Sequence, residues 1–229
     1  MSSTLDFLRL FRQVSSPHTI PAGAELFRQD DPIREIYLLE KGLVKFMRTE
    51  MNGQEMLVEI RSAGGLLGAA SALANHPAPM SVVALMPCEV CHVSTKDFLH
   101  LENTNAAFSH ELLVSISRRR NEQGIRQAQL GLLPARARLE QLLLQFMNDF
   151  GVERNRQLQL ALPISKQDIA AYLAITPQRL SNIFREMKRE GLIAEEKDWI
   201  TLSDRLSLTS EATGGQNIRA RLAKGRAEI

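Results

Sequence analysis

Amide, hydroxyl and cationic side chains are concentrated between Ser165 and Arg189. The amides of Gln178 and Asn182 each offer a donor and an acceptor, which suits the edge of adenine in the major groove. The cations further along the stretch can bind backbone phosphates. The residues that we predict to contact double-stranded DNA are Ser165, Lys166, Thr176, Gln178, Arg179, Ser181, Asn182, Arg185, Lys188 and Arg189.

The helix that carries most of these side chains is marked at both ends. Thr176 can cap its first amides, Pro177 suits the first helical position, and Gly191 can take the left-handed conformation that follows a helix. The apolar residues between these ends recur at helical spacing and predict one buried face. They are Leu180, Ile183, Phe184 and Met187.

A shorter helix precedes this one. Ser165 and Asp168 have the spacing of a capping box, and the apolar pattern continues from there to Leu173. Two short helices joined by a tight turn at residues 174–175 predict a helix-turn-helix, whose second helix enters the major groove. Residues 192–202 predict a hairpin, the wing. The alternative is an αα-hairpin in an ordinary helical core.

The first half of the chain is organised differently, as short apolar runs separated by turn signals between Ile20 and Val93. The dipeptide at residues 52–53, Asn-Gly, lies between two such runs and is a strong hairpin signal. Several strands with this rhythm predict an antiparallel sandwich or barrel. The pattern then becomes helical, and it predicts a long helix over residues 103–129 and a hinge at residues 132–134.

The apolar seam of the long helix allows two interpretations. The helix could pack on the barrel, or it could form a coiled coil with a second copy of the chain. We favour the coiled coil, because the helix is longer than the barrel alone needs. The residues predicted at this dimer interface are Phe108, Leu112 and Ile116.

Composition limits the classes of function. The chain of 229 residues is 44% hydrophobic with a formal net charge of +2, so it can bury a core and is not a uniformly basic polyanion binder. Its two cysteines, Cys88 and Cys91, are too few for a disulfide framework or an iron–sulfur cluster. Neither a signal peptide nor a bilayer-spanning run is evident, which predicts a cytoplasmic protein without membrane contact.

Motifs for catalysis are absent from the sequence. We find no Gly-rich nucleotide loop, no metal-ligand pair at helical spacing, and no Ser or Cys nucleophile motif. We therefore expect neither enzymatic activity nor a metal site. A ligand-binding protein without DNA function is the rival class.

Three stretches, residues 20–48, 82–98 and 164–193, resemble the bacterial regulator family of the cyclic-AMP receptor protein and FNR, the Crp/Fnr family. The resemblance implies an α+β fold: an N-terminal antiparallel β-roll that senses a small molecule, a long dimerisation helix and a C-terminal winged helix-turn-helix. It also implies a homodimer that binds a palindromic operator and contacts RNA polymerase. The segments that we expect are 1–102 for the roll, 103–133 for the long helix and hinge, 134–209 for the winged helix and 210–229 for a flexible basic tail.

The roll departs from the cyclic-nucleotide binders of that family. Those proteins hold the ligand with a Glu that accepts from the ribose hydroxyl and an Arg that pairs with the cyclic phosphate. Ala69 and Met80 stand at these positions here. Because a buried phosphate without a cation is costly, we expect an apolar pocket and an effector other than cyclic AMP. The residues predicted to line this pocket are Leu66, Leu67, Gly68, Ala69, Met80, Ser81, Leu113 and Ser117.

The segment from Cys88 to His92 matches the c-type haem attachment motif. In a strand, however, Cys88 and Cys91 point to opposite faces, so we interpret them as two buried thiols. Non-covalent haem, with sensing of a gas or of redox state, is left as an alternative because every histidine lies in the sensing half. The histidines are His18, His76, His92, His100 and His110.

Overall fold

The computed structural model describes residues 9, 11–154 and 157–203. The chain divides into two compact units, Met1–Ala128 and Gln129–Ile229, which are described separately. The predicted basic tail, 210–229, lies outside the described residues. Within the described part of the chain, no helix combines the length and the apolar character needed to cross a membrane.

The first unit contains two four-stranded antiparallel sheets. The strands are β1 (Ser16–Ile20), β2 (Glu25–Phe27), β3 (Glu35–Lys41), β4 (Leu43–Thr49), β5 (Glu55–Ser62), β6 (Gly65–Leu67), β7 (Ser81–Ala84) and β8 (Cys88–Ser94). Their orders in the two sheets are β1-β8-β3-β6 and β2-β7-β4-β5, so strands distant in sequence lie side by side. The hairpin predicted at Asn-Gly is confirmed: β4 pairs with β5, and Gly53 closes the turn with a φ of +79°. The antiparallel β-roll is therefore confirmed as well.

Two apolar clusters lie on opposite sides of the sheet that contains β3 and β8. The inter-sheet cluster fills the roll and is built around Leu39, Val44, Leu67, Val82, Cys88 and Val90. The helix-side cluster joins the other face of the same sheet to helices of the first unit. It is built around Ile36, Leu38, Cys91, Phe98, Phe108 and Leu112. Because this sheet is covered on both faces, alternate residues of its strands are buried in different clusters.

Besides the helical residues 11–14, the first unit contains α1 (Ala69–Leu73), α2 (Thr95–Thr104) and α3 (Ala106–Leu132), the last of which continues into the second unit. Helix α3 carries the residues that were predicted at the dimer interface. Phe108 and Leu112 are buried in the helix-side cluster of their own chain, and Ile116 packs against that cluster. This seam therefore packs within its own chain, and its assignment to a dimer interface stays a prediction. Helical spacing identifies a buried face, but here the sheet residues Ile36 and Leu38 cover it.

The second unit is a winged helix-turn-helix. Its elements are α4 (Ala135–Phe150), β9 (Val152–Arg154), β10 (Gln157–Ala161), α5 (Lys166–Tyr172), α6 (Pro177–Arg189), β11 (Ile193–Glu196) and β12 (Trp199–Leu202). Strands β11 and β12 form the predicted wing, and β12 also pairs with β10, a strand that the sequence pattern did not indicate. The apolar faces of α4, α5 and α6 are buried. The predicted α+β fold is thus confirmed in both units.

Candidate nucleic-acid interface

The two helices of the helix-turn-helix begin with the caps that the sequence predicts. Ser165 Oγ accepts a hydrogen bond of 3.0 Å from the backbone amide of Asp168, and Thr176 Oγ1 accepts one of 3.2 Å from the amide of Arg179. Pro177 is the first residue of α6. Ser165 and Thr176 therefore fix where α5 and α6 start, which sets the position of the side chains that follow.

The turn between these helices is held by a residue that the sequence pattern did not reveal. Ala174 adopts a left-handed conformation with a φ of +53°. The guanidinium of Arg138, on α4, donates to the carbonyl oxygen of Leu173, the residue just before the turn, at 2.8 Å. It also donates to the carbonyls of Leu133 at 2.8 Å and Leu130 at 3.0 Å. Arg138 thus links the start of the turn to the last residues of α3.

Helix α6 separates a buried apolar face from an exposed polar one. Leu180, Ile183, Phe184 and Met187 are buried, as predicted. The predicted DNA contacts on this helix are exposed, except for Asn182, which is half-buried. The exposed set is Gln178, Arg179, Ser181, Arg185, Lys188 and Arg189. The structure therefore brings the predicted polar residues of α6 together on one surface.

The two amides predicted to contact bases interact with each other. Gln178 Nε2 lies 3.4 Å from Asn182 Oδ1, one helical turn away, and Arg185 Nη1 donates to the same oxygen at 3.1 Å. The side-chain oxygen of Asn182 is thus engaged within the helix. Ser181 also bonds within the helix, since its Oγ donates to the carbonyl of Pro177 at 3.0 Å. Gln178, Asn182 and Arg185 form one coupled group at the start of the polar surface.

The wing contributes a carboxylate that sequence reasoning missed. Glu195, on β11, places Oε1 2.8 Å from Nζ of Lys166, and its Oε2 pairs with Nζ of Lys188. Hydrogen bonds from Lys166 and then Lys188 lower the pKa of Glu195 below its usual value, against the opposing effect of burial. These groups border a cavity of about 200 Å³, which is lined by Lys166, Ser181, Phe184, Arg185, Lys188 and Glu195.

A second ion pair fixes the far end of α6. Arg136 Nη1 and Nη2 bind the two carboxylate oxygens of Glu190 at 2.8 and 2.5 Å. Arg136 Nε also donates to Glu140 at 3.0 Å. Hydrogen bonding to Arg136 lowers the pKa of Glu190. Both ends of α6 are therefore defined, the first by its cap and the last by a bidentate contact to α4.

The residues predicted to line an effector pocket are not brought into one lining. Leu67 and Met80 belong to the inter-sheet cluster, whereas Leu66 and Ala69 pack in the helix-side cluster. Gly68 precedes α1 with a φ of +88°. Ser81 Oγ accepts from the backbone amide of Gln29 at 3.0 Å. On α3, Leu113 has an exposed fraction of 63% and Ser117 is also exposed. The alternation of adjacent strand residues separates Leu66 from Leu67.

The roll contains a buried charged group instead. Glu59, on β5, is 6% exposed and accepts hydrogen bonds from Arg61 at 3.0 and 3.3 Å. From α3, Arg119 pairs with Oε1 of Glu59, and Gln123 donates to Oε2 at 2.9 Å. Arg61 also donates to the carbonyl of Leu66 at 3.1 Å and lies over the ring of Phe46. We call Glu59, Arg61, Arg119 and Gln123 the Glu59 cluster.

Comparison with known proteins identifies both units. The family model of the cyclic nucleotide-binding domain matches residues 17–105, and that of the Crp-like helix-turn-helix domain matches residues 137–210. The chain belongs to the Crp/Fnr family. Its members are transcriptional regulators, and no enzyme family is indicated.

Relatives within the Crp/Fnr family are distant but match most of the chain. The cyclic AMP receptor protein of Thermus thermophilus is 25% identical over 173 residues, which is 76% of this chain and 77% of that protein. The transcriptional activator protein Anr of Pseudomonas aeruginosa is 24% identical over 194 residues, 85% of this chain and 79% of that one. The structure of FixK2 from Bradyrhizobium japonicum matches this chain with a TM-score of 0.73 at 19% identity. The matched region covers 86% of this chain and 96% of the FixK2 chain.

The cysteine and histidine residues of this Crp/Fnr chain do not form a covalent haem site. Cys88 is buried in the inter-sheet cluster and Cys91 in the helix-side cluster, so the predicted separation of the two thiols is confirmed. His92 stacks on Tyr37 and lies edge-on to His18, with ring centroids 5.9 and 6.0 Å apart. His76, His100 and His110 are exposed. Among the described residues, no group of three His, Cys, Asp or Glu side chains could hold a metal ion.

Proposed function

We propose that this chain is a homodimeric, sequence-specific DNA-binding regulator whose β-roll responds to a small effector other than cyclic AMP. The observation that carries the proposal is the exposed polar surface of α6. Its apolar side is fully used in the core, while six of its polar residues face outward beside the wing. A helix so placed can enter the major groove with amides first and cations behind.

Binding to selected DNA tests this function. In vitro selection from random duplexes with the full chain is expected to enrich a palindromic site, and fluorescence anisotropy then measures affinity for that site. Alanine at Lys188 should weaken binding on all sequences and reduce the salt dependence of the association constant. Alanine at Lys41, an exposed lysine on β3, is the matched control and should leave both unchanged. A wild-type chain that enriches no site would contradict the proposal.

The homodimer is proposed through the exposed side of α3 rather than through the predicted seam. Leu113 and Ile125 are 63% and 60% exposed, although both are large apolar residues on a helix whose other side is already covered. Burial of such residues against a second copy would be favourable by about 1.5–3 kcal/mol for each side chain. A palindromic operator also requires a two-fold symmetric protein.

Sedimentation velocity of the full chain tests the dimer. The wild type is expected to sediment as a dimer at micromolar concentration, and Leu113→Asp is expected to shift it to a monomer. Met51→Asp places the same charge on a fully exposed apolar residue elsewhere, at the tip of the β4–β5 hairpin, and should leave the dimer intact. Equal behaviour of the two variants would contradict an interface at Leu113.

An effector other than cyclic AMP is proposed from the side chains around α1. Ala69 is buried in the helix-side cluster and Met80 packs in the inter-sheet cluster, so neither position supplies the polar partner that a ribose cyclic phosphate needs. The nearby cation Arg61 is held by Glu59. Isothermal calorimetry with cyclic AMP is expected to give no saturable heat. A tight dissociation constant accompanied by stronger DNA binding would contradict this part of the proposal.

RNA polymerase is the partner that we propose for activation or repression, because the resemblance to the Crp/Fnr family implies this contact. Pull-down of the polymerase by the chain bound to its selected duplex tests the contact.

The haem alternative is tested by the visible spectrum of the natively purified protein, in which a Soret band would support it.

A further inference from the structure

The wing places one carboxylate against two lysines of the DNA-facing surface. Glu195 lies 29 residues from Lys166, and its two oxygens are divided between Lys166 and Lys188. The side chain of Glu195 is 20% exposed, whereas those of the two lysines are 50% and 42% exposed. The lysines therefore remain open to solvent on one side while the carboxylate holds them from the other.

The cavity beside this group is bordered by side chains that can bind an anion of the DNA backbone. Three cations, Lys166, Arg185 and Lys188, border its volume of about 200 Å³ together with the Ser181 hydroxyl. Phe184 lies under Lys166, with Nζ 5.0 Å from the ring centre. A phosphate would accept hydrogen bonds from the same lysine nitrogens that Glu195 engages, because both anions bind ammonium groups through oxygen.

A carboxylate paired with phosphate-binding lysines has different effects on two kinds of DNA complex. Binding to random sequence depends almost entirely on cations that contact phosphates, so a carboxylate that pairs with two lysines and offsets one of their two charges weakens it directly. On a preferred site, base contacts fix the register of the protein and bring two phosphates to Lys166 and Lys188, which Glu195 already holds in place. Because these long side chains are ordered before DNA binds, less conformational entropy is lost on binding. In this register alone, that saving offsets the positive charge that Glu195 cancels.

We propose that Glu195 is a specificity-determining residue, whose carboxylate takes the place of a backbone phosphate between Lys166 and Lys188 and so limits binding to sequences that lack the preferred bases. The inference rests on the proposed DNA-binding function. The lowered pKa of Glu195 agrees with it, since the carboxylate then stays ionised at neutral pH.

The test compares Glu195→Gln with the wild-type full chain on two duplexes, one obtained by selection and one of random sequence. Glutamine keeps the shape and removes one negative charge. Random-sequence affinity is expected to rise about 3–10-fold, and the slope of log K against log salt to steepen by about 0.9, the contribution of one further released counterion. Affinity for the selected duplex should change by less than about two-fold, because the loss of ordered lysines offsets the gain in charge.

Two control variants separate the pairing from charge in general. Glu195→Asp keeps the charge and should keep the wild-type salt slope. Glu196→Gln removes one charge from the next residue of β11, which is exposed and points to the other side of the strand, and should change random-sequence affinity less than half as much.

The possible outcomes separate a failure of the proposal for Glu195 from a failure of the proposed DNA-binding function. A wild-type chain that binds neither duplex overturns both. Wild-type binding combined with an unchanged or weaker random-sequence affinity on Glu195→Gln overturns the inference alone and leaves Glu195 as a structural link between α5, α6 and the wing. An equal rise on both duplexes, or an equal effect of Glu196→Gln, also overturns it.

Discussion

Gln123 on α3 donates a hydrogen bond of 2.9 Å to Glu59 on β5, across 64 residues of sequence. The acceptor is a buried carboxylate that also binds Arg61 and Arg119, so both of its oxygens are engaged. The Glu59 cluster thereby connects a strand of the roll to the long helix through a carboxylate that has little access to water, as does the guanidinium of Arg61. Interactions of this kind are costly to break, because the partner that remains is a buried charge without compensation.

We predict that Glu59→Gln destabilises the first unit by about 3 kcal/mol, because Arg61 stays buried after its charged partner is lost. The side chain of Arg61 is 12% exposed. Hydrogen exchange of peptides from β5 and α3 measures the effect in the full chain. Glu55→Gln, at the exposed start of the same strand, is the control and should change the free energy of unfolding by less than about 0.5 kcal/mol. Similar exchange in the two variants would show that the cluster adds little.

The carboxylate of Glu59 should also make the stability of the first unit depend on pH. Burial alone would raise the pKa of Glu59, but Arg61 and Arg119 outweigh burial and lower it below the usual value. A carboxyl whose folded pKa is depressed contributes stability that is fully present above its unfolded pKa, about 4.3, and that is lost as the pH falls through the folded pKa. The stability difference between wild type and Glu59→Gln should therefore shrink below about pH 4 in acid unfolding followed by circular dichroism. A constant difference would contradict this.

Substitution of two consecutive leucines on α3 should reduce stability to very different extents. Leu112 is 3% exposed in the helix-side cluster, whereas Leu113 is 63% exposed. Leu112→Ala is expected to lower the free energy of unfolding by about 2–5 kcal/mol because it leaves a cavity. Leu113→Ala should cost the protomer less than about 0.5 kcal/mol. Denaturation at a concentration below dimer formation compares them, and equal losses would show that α3 is packed differently.

These leucines also show what the sequence could and could not predict. Helix α6 was predictable because its cap, its first-position proline and its apolar face are local signals within residues 176–191. The spacing of Leu112 likewise predicted a buried face, but periodicity does not say which surface covers it. Glu59 and Glu195 were missed because single polar residues in strands give no local signal, and their partners Arg119 and Lys166 lie 60 and 29 residues away.

The two cysteines should be unreactive in the folded protein. Cys88 and Cys91 are 0% and 5% exposed, and burial raises the pKa of both thiols, so little reactive thiolate forms at neutral pH. Mass spectrometry after iodoacetamide treatment is expected to show no modification of the native chain and two modifications after unfolding. Rapid labelling of the native chain at Cys91, with the β-roll still folded, would contradict this prediction.

The last prediction concerns the bases that α6 reads. In the Crp/Fnr family the start of the recognition helix carries a Glu, followed by an Arg four residues later. In this chain Gln178 replaces the Glu and Asn182 replaces the Arg. Glutamate accepts from cytosine and arginine binds guanine, but both amides suit adenine. Selection is therefore expected to return a palindrome whose half-sites lie about 34–36 Å apart and which differs from TTGA–TCAA and TGTGA–TCACA at the G·C pair.

Single substitutions at these amides should reduce affinity for the selected site by about 1–3 kcal/mol and leave random-sequence binding unchanged. The 3.4 Å approach of Gln178 to Asn182 adds a further expectation. Because each amide orients the other, the double variant Gln178→Ala/Asn182→Ala should lose less than the sum of the two single losses. Arg189→Ala, which removes an exposed cation from the same helix, should instead weaken binding on every sequence and flatten the salt dependence. Additive losses would mean that the two amides act separately, and equal losses on all sequences would mean that neither reads a base.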